Sequence, residues 1–151
     1  MFNEIKKFFG NPEKENENSA EIILASLFVR VAKVDFDYSS NEIEFIDNLL
    51  MKRFSRTKDE AANIRIKAEI VEQETTDTVQ LTKIIKSEIP YEKRQELAVD
   101  LWSLVLTDNV RSPEENNFMR LCVKLIGVND VESAQARNAA KKRLSKTDQN
   151  L

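Results

Sequence analysis

The feature that most constrains this chain is a loop-centred pattern that occurs twice. The first copy is Val34-Asp35-Phe36-Asp37-Tyr38-Ser39-Ser40-Asn41-Glu42 and the second is Thr107-Asp108-Asn109-Val110-Arg111-Ser112-Pro113-Glu114-Glu115. Asp, Ser and Glu stay in register, since 108 − 35, 112 − 39 and 115 − 42 all equal 73. The match extends outward through Leu24/Leu97, Ala25/Ala98, Phe28/Leu101, Val31/Leu104, Phe45/Phe118, Ile46/Met119 and Leu50/Val123. Self-similarity at a fixed period marks one supersecondary unit used twice. The flanking apolar residues recur at the helical period: Leu24, Leu27, Phe28 and Val31 before one loop, Ala98, Leu101 and Val105 before the other. No strand alternation competes, so each copy predicts a helix–loop–helix with acidic residues in its loop.

Helix starts are marked by Ser, Thr, Asp or Asn followed three residues later by Glu or Gln, a pair that satisfies free backbone N–H groups reciprocally. The chain offers this at Ser39/Glu42, Thr57/Glu60, Asp77/Gln80, Ser112/Glu115 and Asn129/Glu132. Pro113 falls at a first helical position, where its missing N–H is not needed, and Pro90 breaks the chain after Ile89. These signals predict helices over Glu21–Val34, Ser40–Phe54, Lys58–Glu74, Thr78–Glu88, Tyr91–Thr107, Pro113–Ile126 and Asp130–Leu144. The expected fold is an all-α, single-domain bundle of seven to eight helices, two related helix pairs with Lys58–Glu88 between them. Residues 19–146 form that domain. Residues 1–18 are a short amphipathic arm (Phe2, Ile5, Phe8, Phe9) and a polar linker, Glu13 to Asn18, and residues 147–151 are a tail. Two turns of arm bury too little to hold a membrane surface firmly, so it is expected to dock on its own domain or on a second copy of the chain, as in a homo-oligomer. Trp102 is expected as a core anchor. Mixed charges at Arg65, Lys67, Glu69 and Glu72 read as the outer face of a surface helix.

Composition narrows the chemistry. The chain has no histidine, which removes the commonest metal ligand and the usual general base near neutral pH. A Ser-His-Asp or Cys-His site is excluded within it. Cys122, its one cysteine, lies in the apolar run Phe118, Leu121, Leu125 and reads as a small buried hydrophobe, not a nucleophile. One cysteine and no signal peptide point to a reducing, cytoplasmic compartment. A net charge of −3 argues against nucleic-acid partners; the basic run Arg137, Lys141, Lys142, Arg143, Lys146 reads as a solvated, fraying helix end. No apolar run approaches the roughly 20 residues needed to cross a bilayer. No glycine-rich phosphate loop and no convergent set of unlike titrating groups marks an enzyme, and no cofactor is expected.

The acidic loops require testing as metal sites. A calcium loop counted from Asp35 needs Gly at its sixth position and Glu at its twelfth; those positions hold Ser40 and Ile46, and the second copy has Val110 at its third. Neither is an EF-hand. A looser site remains, in which Asp35, Asp37 and Glu42, with Asp108 and Glu115 in the second copy, offer oxygen ligands to a divalent cation. The structural alternative is that Asp35 and Asp108 favour the nearby helix start through its dipole, while Ser39, Ser112, Glu42 and Glu115 cap.

The helix–Asp–loop–Ser-x-x-Glu–helix unit, present twice in an acidic helical chain, resembles the TerB-like tellurite-resistance family, whose copies read approximately Ala-Asp-Gly-x-(apolar)-Ser/Thr-x-x-Glu. Asp35, Ser39 and Glu42 match in the first copy, and Asp108, Val110, Ser112 and Glu115 in the second. The likeness runs from about Ala20 to Val128. Phe36 and Asn109 stand where the family has Gly. Asn tolerates positive φ and keeps the turn, whereas Phe predicts a different path for the first loop. The resemblance implies a bacterial cytoplasmic helical protein without demonstrated catalysis, linked to tellurite and general stress. It also implies protein partners, some of them membrane-associated, and an acidic surface able to take metal ions.

Overall fold

The first helix, α1 (Pro12–Ala32), is apolar on every side through its second half, and this places it at the centre. Ile22, Ile23, Leu24, Ala25, Ser26, Leu27, Phe28 and Val29 are all buried. A helix hydrophobic all round must be surrounded by others. In the computed structural model, which describes residues 12–34, 38–107 and 113–149 and side chains over 20–34, 38–107 and 116–146, α1 packs against each of the next five helices. These are α2 (Ser40–Phe54), α3 (Lys58–Glu74), α4 (Thr78–Glu88), α5 (Tyr91–Leu106) and α6 (Pro113–Leu125), and α7 (Asp130–Gln149) completes the seven among the described residues. No strand occurs among those residues, and no described helix is long and apolar enough to cross a membrane.

Three helices, α2 to α4, have the expected bounds. The first and last are longer than expected. Residues Glu13 to Asn18, expected as a polar linker, belong to α1. The physical reason is local: Pro12 is pre-set for the first helical position, Glu and Lys are good helix formers, and the early glutamates suit the positive end of the helix dipole. At the other end α7 runs on to Gln149, so the basic run lies within a helix.

The duplicated unit is larger than a hairpin. The most extensive helix interfaces are α1 with α3 and α5 with α7, which makes α1–α2–α3 and α5–α6–α7 related triplets with α4 joining them. The caps support this at an offset of 72, because 127 − 55 and 129 − 57 agree. Ser55 (φ 54°) and Gly127 (φ 92°) both adopt the left-handed conformation. In each case the next N–H closes back on the helix, Arg56 to the Met51 carbonyl and Val128 to the Val123 carbonyl, both at 3.1 Å. This is the Schellman helix ending. The register thus slips by one residue between the start and the end of α2 relative to α6.

Capping boxes form at Ser39/Glu42 and Thr57/Glu60 and at Asn129/Glu132, where the two bonds are 3.2 and 2.8 Å. The backbone bond from Thr57 holds the Glu60 carboxyl below the usual carboxylate range. Asp77 departs from expectation: it caps α4 through the Val79 N–H at 2.9 Å rather than in a box with Gln80. Ser112/Glu115 lies outside the described side chains. Trp102 is buried as expected, and its Nε1 donates to Ser133 Oγ at 3.2 Å.

Candidate functional site

The first acidic loop is tied to α3 on both flanks. On its N-terminal side Lys33 Nζ reaches Glu72 at 3.1 Å. On its C-terminal side the Tyr38 hydroxyl donates to Glu69 at 2.7 Å. The two glutamates are three residues apart on one face of α3, which is why a single helix can hold both ends. Glu72 also takes Arg30 Nε at 3.3 Å, and the same guanidinium bonds to the carbonyls of Glu72 and Thr75 and to the Thr78 hydroxyl. Arg30 thereby satisfies carbonyls that the end of α3 leaves without partners.

Arg65 lies between two acids, Asp47 at 2.6 Å and Glu69 at 3.3 Å. Burial works against its charge, but the hydrogen bond and the charge of Asp47, with that of Glu69, outweigh this and raise its pKa. Tyr38 is also raised above the ordinary phenol value, first by burial and then by the Glu69 carboxylate that accepts its hydrogen bond. A second charged knot is centred on Asp100, 1% exposed, which receives Arg53 from α2 at 2.7 Å and Arg143 from α7 at 2.8 Å. These arrangements correct two expectations. Arg65, Glu69 and Glu72 form an interhelical ion-pair layer and not a solvated outer face, and Arg143 in the basic run is an anchor for Asp100.

Of the residues expected at a metal site, Asp35, Asp37 and Asp108 lie outside the described residues, as does the side chain of Glu115. Phe36 and Asn109, on which the loop paths were argued, lie outside them too. Glu42 is described: Ser39 N–H donates to its carboxylate at 3.4 Å, and the Glu42 N–H donates to Ser39 Oγ at 3.3 Å. Among the described residues no three His, Cys, Asp or Glu side chains gather where one ion could hold them. Cys122 is buried, and burial pushes its thiol up to about 12.

Sequence reading missed the charged knots because it sees one helix at a time. The signal available was the acid at positions of apolar faces: Asp47 follows Ile46 and Asp100 precedes Leu101, and each needs a cation from another helix if buried.

An all-helical bundle of two related triplets, with the buried acids Asp47 and Asp100 paired to arginines of other helices, is the class of protein that this arrangement defines. The chain belongs to the TerB family, since the family model described as tellurite resistance protein TerB matches residues 21–138. That span covers the buried half of α1 and reaches well into α7, so it takes in both triplets. Neither the curated proteins nor the solved structures gave a match.

Proposed function

We propose that this chain is a non-catalytic interaction protein of the tellurite and general stress response, acting in the cytoplasm by docking a protein partner. The observation that carries the reading is on α3. Arg65, Glu69 and Glu72 are held in ion pairs on its inner side, while Ile66 and Ile70, one turn apart, stand 49% and 41% exposed. A helix fixed by several partners offers these side chains at little further ordering cost, which favours recognition. An exposed apolar pair on a rigid helix is the kind of feature through which partners dock. Cys122 fits the same reading, because a buried thiol raised to about 12 stays protonated near neutral pH.

The test uses a host whose tellurite tolerance depends on this chain. Ile66→Asp/Ile70→Asp is expected to keep the wild-type melting temperature and to lose tolerance. Full tolerance with the double variant would remove α3 as the docking face.

A further inference from the structure

We propose that the second triplet contains a binding site for a phosphate-type oxyanion, free or esterified, in the cleft between α5, α6 and α7. The cleft has a volume of about 480 Å³ and is lined by Trp102, Asn116, Arg120, Asp130, Arg137 and Asn138 among others. Two arginines therefore line one cavity. The Nε of Arg137 is buried and has no hydrogen-bond partner. Its guanidinium carbon lies 5.5 Å from the centre of the Trp102 ring, which fixes the group in place. A guanidinium with a donor left unpaired carries an uncompensated desolvation cost, and a charge-assisted bond from the rest of the group to an anion in the cleft offsets it.

The duplication relates the cleft to the ion pair of the first triplet. Arg137 occupies the place of Arg65, since 137 − 65 is 72, and Arg120 that of Asp47, since 120 − 47 is 73. Lys141 stands in for Glu69, again at an offset of 72. In the first triplet Arg65 is neutralised by Asp47 and Glu69. In the second, bases stand at both corresponding positions. The helix packing that brings an ion pair together in one half brings two cations together in the other. Asp130 also lines the cleft; it begins α7, where the helix dipole offsets its charge. Two arginines on one cavity, with Asn116 and Asn138 also lining it, suit a doubly charged tetrahedral oxyanion better than a singly charged carboxylate. The cavity exceeds the size of the bare ion and leaves room for an organic body beside Trp102.

Trp102 is the chain's one tryptophan and lines the cleft, so its fluorescence reports occupancy. The intact chain is titrated with inorganic phosphate, and separately with glycerol phosphate, with sodium chloride holding ionic strength constant. A saturable response is expected with both if the phosphate group alone is recognised, and a tighter one with the ester if the organic body is read too. Arg120→Gln and Arg137→Gln are each expected to weaken binding by about tenfold, as for loss of one charge-assisted contact, and Lys67→Gln on exposed α3 is expected to leave it unchanged. Because Arg137 also packs on Trp102, the exposed Arg120 provides the variant that keeps the fold. A response no different from chloride, or equal weakening by Lys67→Gln, overturns the site.

Discussion

Tyr38 is the residue at which the electrostatics can be read most directly. Its hydroxyl donates to Glu69, and burial together with that carboxylate opposes ionisation in the folded chain. A group whose folded pKa lies above its unfolded value favours folding below the unfolded value and loses that contribution as pH rises beyond it. For Tyr38 the unfolded value is the ordinary phenol value of 10.0. Tyr38→Phe is therefore expected to lower stability by about 1 kcal/mol at neutral pH, the net worth of one hydrogen bond. The advantage of wild type over the variant should shrink as pH is raised above that value. Urea unfolding of both chains at neutral and alkaline pH measures it. An advantage that grows with alkalinity would contradict the assignment.

At the scale of elements, the repeated helix endings give the sharpest expectation. Ser55 and Gly127 hold the same left-handed position at the ends of α2 and α6, but only one is glycine. A side chain in that conformation costs roughly 1 kcal/mol. Ser55→Gly is expected to raise stability by about that amount. Gly127→Ala should lower it by more, because a Cβ there would also meet Arg94 Nη1 at 3.0 Å. Thermal unfolding of both variants checks the pair, and equal shifts of one sign would break the equivalence. Helix limits were largely legible from sequence where a capping side chain announced them, as at Ser39 and Thr57. They were not legible at α1, where the start is set by Pro12 and the propensity of glutamates that look like a linker. Both α3 and α7 were legible as helices, but not as the third member of a repeated triplet, because they share caps and packing but little sequence.

For the whole molecule, the apolar pattern was enough to give an all-helical bundle, since Leu27, Phe28, Leu101 and Val105 are buried where their spacing required. The charged interior was not legible, because Asp47 meets Arg65, and Asp100 meets Arg53 and Arg143, across helix interfaces that no linear pattern encodes. Those pairs make the two triplets alike in shape and unlike in charge. Breaking such a pair is costly because it strands a partly buried charge, and completing one should do the reverse. The decisive measurement is therefore the denaturant-unfolding free energy of Arg120→Asp, which would recreate beside Arg137 the pair that Asp47 makes with Arg65. If the chain is a duplicated triplet with one charge layer inverted, this variant is expected to be more stable than wild type by about 1 kcal/mol, the scale of a partly exposed ion pair. It is also expected to lose its phosphate response. A comparable loss of stability would show that positions 47 and 120 are not equivalent and would contradict the duplicated architecture on which the account rests.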